Sequence, residues 1–353
     1  MPVKKATLGF FIFLFMLTGT LSLVPGNNGD LPFYIATALT TEGRTDGQAL
    51  AETKTLIHAE ISGPKAESLI NLIDSSEPGI LDYYRIKPLY ISIIRILHSF
   101  GFSYSLSTRI PSLISFFFIG SLVFYWAIKI LGPQQAFFLS CALLLINPVI
   151  ILGRLSSPDP LSNLFIFYAL YRMYFGKKYF FTVLVLIGSL FIRLDNFIAV
   201  SMLLAVMLFW PDKKKRIPLW PGLGFVFLAV LIPVAINYLM ESEFWWIKKF
   251  TYLQSFSAYG YQVLIYLNSM GWSFFPFLIL FSLVAYFIRG NRFTERAVFM
   301  LTSIAGIIFL RLLFFPSLED RFMTPFYLTS FLILLEMMLP GKDIALVREK
   351  KSG

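Results

Sequence analysis

The sequence is poor in charge and nearly free of cysteine and histidine. Charged residues make up only 14% of its 353 residues, against about a quarter in an ordinary soluble domain. Hydrophobic residues make up 57%, and phenylalanine alone occurs 39 times. A water-soluble globule of this size could not bury so much apolar surface, so a soluble enzyme is excluded.

The rare residue types exclude further classes. The single cysteine, Cys141, cannot form an internal disulfide, so a disulfide scaffold is excluded. His58 and His98 are the only histidines, which rules out a zinc site built from several histidines. We expect no cofactor, although carboxylates could hold a Mg²⁺ or Mn²⁺ ion. The remaining class is a polytopic helical membrane protein.

The positive charge follows a membrane pattern. The formal net charge is +10, but the lysines and arginines cluster in short loops between apolar runs. That distribution is typical of membrane topology, so we expect no nucleic-acid partner.

Apolar runs recur along the whole chain. A helix needs about 20 apolar residues to cross the hydrocarbon core. The runs that reach or approach this length are 6–24, 110–130, 134–152, 160–175, 179–193, 196–210, 218–239, 262–288, 297–315 and 322–340. They predict an all-α fold, a polytopic transmembrane bundle of about 10–11 spans that forms a single domain over residues 1–353.

Basic residues orient the spans. Lys4 and Lys5 precede the first run, which places the N-terminus in the cytoplasm. The other clusters expected there are 172–178, 212–216, 289–296 and 342–351. The segments expected outside are 25–109, 153–159, 241–261 and 316–321. We interpret the first run as an uncleaved anchor, although a signal peptide has the same pattern.

One segment tests this topology. Residues 88–100 are apolar but short, and they contain Arg95 and His98. If they crossed the membrane, the basic run at 213–216 would lie outside. We therefore predict an interfacial or re-entrant helix; alternatively, two of the short runs form one span.

The first extracytoplasmic loop, 25–87, is the longest polar stretch. Residues 48–61 and 65–74 carry helical spacing and predict short helices that lie on the membrane. No separate soluble domain is expected.

Polar residues on the predicted outer face are few. The candidates for chemistry are Asp30, Arg85, Lys87, Asp159, Arg311 and Arg321. Each has a structural alternative. The acids could belong to a turn or to helix N-caps, and the loop cations could belong to an interfacial belt. Arg311 lies inside a predicted span, where an arginine costs about 2.5–3.5 kcal/mol, so it needs a partner or must reach the surface. Arg193 and Asp195 could form a structural ion pair.

A shared face gives these residues a common chemistry. Cations can hold a phosphate leaving group, and a carboxylate can accept the proton of an attacking hydroxyl. The combination favours transfer of a group from a lipid-linked phosphate to a hydroxyl.

The order of the motifs resembles a known family. In chain order they read GDLPFYIATAL, YYRIKPLYISIIRILHSFG, TRIPSLISFFFIG, SSPDPLSNLF, FIRLDNF and EDRFMTPFYL. This order is similar to that of the GT-C superfamily of polytopic glycosyltransferases, in the branch of protein O-mannosyltransferases and lipid A aminoarabinose transferases. The similarity is clearest over 25–165 and returns at 315–330.

The resemblance implies an inverting glycosyltransferase. Its donor would be a sugar linked to polyprenyl or dolichyl phosphate, and its acceptor a hydroxyl of a glycan, lipid or protein at the extracytoplasmic face. Asp30 would be the catalytic base, and Asp159, the acid of the second loop, would be a second catalytic residue that orients the acceptor or binds a cation. Lys87 and Arg321 would contact the donor phosphate, and the charge pattern adds Arg85 and Arg311 as further candidates for that contact. The expected location is the bacterial inner membrane, with both termini cytoplasmic.

Other functions share part of this pattern. A transporter or flippase would explain the spans and the interfacial cations, but we find no related halves. A glycan polymerase or ligase would place its key arginines in a large late loop, whereas the large loop here is early. A membrane scaffold could bind partners through the aromatic segment 244–261.

Overall fold

The chain folds into helices. A computed structural model describes residues 1–176, 179–213, 216–240, 257–261, 264–265, 294–314 and 320–339. Within these ranges there is no strand, which confirms the all-α prediction for this part of the chain. The predicted span 262–288, the aromatic segment 244–261 and the basic tail 342–351 lie wholly or largely outside the described residues.

The helices are named here in chain order. They are α1 (Val3–Leu23), α2 (Leu31–Thr40), α3 (Asp46–Glu60), α4 (Pro64–Asp74), α5 (Asp82–Arg85), α6 (Pro88–Ser99), α7 (Tyr104–Ile130), α8 (Pro133–Leu145), α9 (Asn147–Arg154), α10 (Asp159–Phe175), α11 (Phe180–Ile192), α12 (Phe197–Leu208), α13 (Leu219–Leu239), α14 (Glu295–Phe314) and α15 (Asp320–Met338). A 3₁₀ turn, Leu194–Asn196, joins α11 to α12.

Several helices have the dimensions of membrane spans. Among the described residues, α1, α7 and α13 are long and apolar enough to cross a bilayer, and the bent pair α8–α9 raises the total to 4 if it is one span. These helices indicate a membrane protein. The predicted 88–100 segment forms the 12-residue helix α6, and the predicted helices 48–61 and 65–74 correspond to α3 and α4.

The predicted span 134–152 corresponds to two helices, α8 and α9, with a break between them. The chain bends by 66° between α8 and α9, and Ile146 at the break is extended, with φ −72° and ψ 140°. Pro148 explains the bend, because it has no N–H to donate and its ring would clash with the carbonyl of Leu144.

Aromatic packing holds the bundle together. Phe10 of α1 stacks on Phe124 of α7, with ring centroids 4.4 Å apart. Trp126 of α7 stacks on Phe167 and Tyr174 of α10, at 5.8 and 5.6 Å. These contacts bury the central faces of α1, α7 and α10 against one another, in geometries that aromatic pairs favour.

The long loop packs around a hydrophobic cluster of its own. Leu31, Tyr34, Ile57, Leu69 and Ile94 are buried in it, so α2, α3, α4 and α6 share one small core. Thr45 and Gln48 form a capping box that begins α3, as expected from their spacing.

The helix ends place charged residues at one end of the bundle. Asp159 begins α10 and Arg321 lies in the first turn of α15. Arg193 follows α11, and Arg311 lies in the last turn of α14. Asp30 directly precedes α2. Two of these helices, α11 and α14, therefore run toward the same end and three, α2, α10 and α15, run away from it, and their charged termini meet there.

Candidate active site

An unbroken series of ion pairs connects these helix ends. We call it the ion-pair chain; its members, in order of contact, are Asp30, Arg321, Asp159, Arg193, Asp195 and Arg311. Acids and arginines alternate along it, so each carboxylate is neutralised by a guanidinium. The structure thus brings four of the predicted site residues into one cluster.

Asp30 uses its carboxylate for tertiary contacts. It occupies the N-cap position of α2, but its side chain makes no capping hydrogen bond. One oxygen, Oδ1, accepts from the Tyr84 hydroxyl at 3.0 Å. The other, Oδ2, accepts from Asn28 Nδ2 at 2.9 Å and from Arg321 Nη1 at 3.3 Å. The alternative of Asp30 as a simple helix cap therefore does not describe its side chain.

Two loops far apart in sequence are joined beside Asp30. The Gly26 N–H donates to the carbonyl oxygen of Arg154 at 3.0 Å. Asn28 Oδ1 accepts from the Ser156 N–H at 2.8 Å, while Asn28 Nδ2 holds Asp30. Asn28 thus fixes Asp30 relative to the loop that carries Asp159. It lies two residues before Asp30, but nothing in the sequence assigns it this contact.

Asp159 lies deeper than Asp30 and has more partners. Its side chain is almost fully buried. It contacts Arg193, accepts from the Ser157 hydroxyl at 3.0 Å and lies 3.4 Å from Arg321 Nη1. Asp159 is the first residue of α10, but its side chain makes ion pairs with neighbouring helices instead of capping its own.

Arg193 is the centre of the ion-pair chain. It contacts Asp159 on one side, and on the other its Nε and Nη2 donate to Asp195 at 2.9 and 2.6 Å. Sequence reasoning placed Arg193 only in a local pair with Asp195. The contact to Asp159 could not be read from sequence, because the two residues are brought together by packing of α10 against α11.

Arg311 has an acidic partner inside the protein. Its Nη2 donates to Asp195 Oδ2 at 3.1 Å, and its side chain is only 8% exposed. The alternative in which Arg311 extends to the surface is therefore wrong. The arginines of the ion-pair chain also contact one aromatic ring, that of Phe322. The guanidinium carbon lies 4.3 Å from the ring centroid for Arg193, 4.7 Å for Arg321 and 5.1 Å for Arg311.

Lys87 lies in a cage of tyrosines. Its ammonium is 3.7 Å from the ring centroid of Tyr83, 4.6 Å from that of Tyr84 and 5.2 Å from that of Tyr34. It donates to the Tyr83 carbonyl oxygen at 3.1 Å. Burial lowers the pKa of Lys87 to about 7, although the negative charge of Asp30 acts to raise it.

Tyr84 connects the lysine cage to the acid. Its ring lies beside Lys87, and its hydroxyl donates to Asp30. Burial and the charge of Asp30 raise the pKa of Tyr84 above its usual value, so the hydroxyl keeps its proton and remains a hydrogen-bond donor. Tyr84 lies in the motif that contains Lys87, but the sequence assigns it no contact with Asp30.

Arg85 does not join the ion-pair chain. Its guanidinium contacts Asp46 at the start of α3 and lies 2.6 Å from Asp82 in its own helix. The side chain of Arg85 therefore ties α5 to α3, while Lys87, two residues later, packs among the tyrosines beside Asp30. Only the second of the two predicted loop cations lies next to the acids.

The cluster combines the groups needed to handle an anion and a proton. Asp30 is a partly exposed carboxylate that accepts from a tyrosine hydroxyl, pairs with Arg321 and interacts electrostatically with Lys87. No protein-family model matches the chain, and no curated protein and no solved structure matches it either. Any functional assignment must therefore follow from the residues of the cluster and their geometry.

Proposed function

We propose that the chain is a membrane glycosyltransferase that moves a sugar from a polyprenyl- or dolichyl-phosphate donor to an acceptor hydroxyl, with inversion at the anomeric carbon. The observation that carries the proposal is the convergence of Asp30, Asp159 and Arg321 beside Lys87. These residues come from distant parts of the sequence, and each belongs to a motif of the GT-C-like order.

The charge distribution supports an extracytoplasmic site. The ion-pair chain lies at one end of the bundle. Arg296, in the first turn of α14, and Glu336, near the end of α15, pair at 3.0 Å at the other end of these two helices. In the proposed topology of about 10–11 spans, the N- and C-termini are cytoplasmic. The acids then face the periplasm, as in a bacterial inner-membrane enzyme, or the lumen.

The proposed reaction is a direct displacement. The acceptor hydroxyl loses its proton to Asp30 and forms a bond to the anomeric carbon, while the bond from that carbon to the phosphate oxygen breaks. The departing lipid phosphate keeps the bonding electrons, and Arg321 and Lys87 stabilise its charge. Asp159 holds Arg321 in place from the opposite side. No covalent sugar–enzyme intermediate is formed.

Arg311 and Arg193 have a different role in this scheme. Both are buried and form ion pairs with Asp195, so they position the acids of the cluster instead of contacting the donor. This departs from the expectation that Arg311 binds the phosphate directly. These ion pairs keep Asp159 in contact with Arg321.

A transporter is the other class to consider. Intramembrane acids and arginines mark many ion pathways, and the ion-pair chain has that composition. Its members nevertheless lie at helix ends and in loops, whereas transporter sites lie near the midplane. The placement of the charges favours chemistry at the membrane surface.

The experiment is a transfer assay with Asp30→Asn. Membranes that contain the protein are supplied with radiolabelled polyprenyl-phosphate sugars, and the released polyprenyl phosphate is measured. We expect Asp30→Asn to insert normally and to lose at least about a hundredfold in rate, the scale of a missing general base. Asp74→Asn, which removes an exposed carboxylate paired with Lys54, should retain activity. Normal release by Asp30→Asn would refute the proposed base.

A further inference from the structure

The three arginines of the ion-pair chain are held to different degrees. The side chains of Arg193 and Arg311 are 7% and 8% exposed, whereas that of Arg321 is 28% exposed. Arg193 makes a two-nitrogen contact with Asp195 at 2.9 and 2.6 Å. Arg321 is therefore the most accessible guanidinium of the three.

Arg321 divides one nitrogen between two acids. The same atom, Nη1, lies 3.3 Å from Asp30 Oδ2 and 3.4 Å from Asp159 Oδ2. Paired, two-nitrogen contacts are the strong form of an arginine–carboxylate interaction, and neither of these contacts has that form. An ion pair that is partly exposed contributes only about 0.2–1 kcal/mol, so a better anionic ligand can replace it.

The pairing also restrains Asp30. Asp30 Oδ2 already accepts from Arg321 and from Asn28, so a ligand hydroxyl that approaches this oxygen has to displace the guanidinium. Arginine stays charged at all relevant pH values, so the restraint ends only when Arg321 moves toward another anion. A phosphate group can accept hydrogen bonds from two nitrogens of one guanidinium, so it is suited to that exchange.

We infer that Arg321 exchanges Asp30 for the phosphate of an isoprenyl-phosphate ligand, so that binding of this anion releases the base. The inference rests on the proposed function for the identity of the anion. It adds an order to the reaction: the lipid phosphate binds first, and Asp30 becomes competent for the acceptor hydroxyl only afterwards.

Asp159 and Lys87 make the exchange feasible. When Arg321 turns from Asp30, Asp159 remains on its other side and keeps the guanidinium at the cluster. Lys87 interacts electrostatically with Asp30, Asp159, Asp195 and Arg193, so a ligand phosphate bound among these residues is attracted by its ammonium as well. Asp30 then faces Tyr84 and Asn28, which orient it.

Binding of farnesyl phosphate, a short isoprenyl phosphate, to the purified full-length protein tests the exchange. If Asp30 competes with the ligand for Arg321, Asp30→Asn should bind about two- to fivefold tighter, the equivalent of a partly exposed ion pair. Arg321→Gln should bind at least about tenfold weaker, because it loses charged hydrogen bonds to the ligand. Asp74→Asn, a charge-matched control outside the cluster, should bind like the wild type.

Opposite outcomes separate this inference from the proposed function. Unchanged or weaker binding by Asp30→Asn would overturn the exchange, yet the donor site would stand if Arg321→Gln still loses affinity. Asp30→Ser, a second variant without charge, guards against a local effect of asparagine, and both should tighten binding. If the wild type binds farnesol as well as farnesyl phosphate, the donor assignment itself fails. Equal affinity for inorganic phosphate would overturn the isoprenyl assignment and indicate a free-phosphate site.

Discussion

Replacement of Arg193 by glutamine should destabilise the protein more than loss of any surface arginine. Arg193 is 7% exposed and bonded to both Asp159 and Asp195. Glutamine removes the charge that the buried carboxylate of Asp159 and the half-buried carboxylate of Asp195 share. Breaking a buried ion pair from one side costs about 3–5 kcal/mol, because the remaining charge stays buried.

The expected shift in unfolding temperature follows from chain length. Unfolding entropy is about 2.1 cal/mol/K per residue, which over 353 residues gives roughly 0.7 kcal/mol per degree. Arg193→Gln should therefore lower the apparent midpoint by about 4–7 °C. Arg193→Lys keeps the charge but loses the planar fork, so we expect an intermediate decrease.

The matched control is Arg44→Gln. Arg44 also contacts two carboxylates, those of Glu42 and Glu52, but its side chain is 37% exposed. An exposed pair of this kind contributes about 1 kcal/mol or less. The assay is tryptophan fluorescence during heating in detergent at a fixed scan rate, since membrane proteins often unfold irreversibly. A decrease for Arg193→Gln no larger than that for Arg44→Gln would show that the ion-pair chain is not a buried, cooperative unit.

Two further outcomes are expected. Gly26→Ala should reduce sugar transfer, because an added Cβ would lie 2.6 Å from the Arg154 carbonyl oxygen and push the two acid-bearing loops apart. Gly47→Ala, with open space around it, is the control, and equal activity of the two variants would contradict the role of this contact. Binding of farnesyl phosphate should weaken as pH rises through about 7, because Lys87, with its lowered pKa, loses its proton there. Lys87→Arg stays charged and should flatten that dependence, whereas an unchanged profile would assign the titration to another group.

The sequence predicted where helices form better than it predicted which side chains contact one another. Apolar length located the central helices, and the charge of Arg311 within an apolar run required a partner. Which acid that would be could not be derived, because Asp195 reaches Arg311 only through packing of distant helices. The same reason explains why Arg85, predicted to contact the donor phosphate, pairs with Asp46 instead.

The bend after α8 shows a second limit. Apolar composition continues unbroken through Ile146, so a search for long apolar runs reads one span there. The local signal was Pro148, whose effect on the preceding turn is independent of hydrophobicity. For the candidate site, sequence identified Asp30, Asp159 and Arg321 but gave no role to Asn28 or Tyr84, since amides and hydroxyls acquire such roles only from neighbours.

The joint between the two acid-bearing loops has a consequence for engineering. The hydrogen bond between Gly26 and Arg154 joins main-chain atoms, and the Asn28 side chain accepts from the main-chain N–H of Ser156. Residues 154 and 156 can therefore change side chain without losing these two bonds. Variant libraries directed at those positions would reshape the surroundings of the acids while preserving their spacing, and offer a starting point for altering which sugar is accepted.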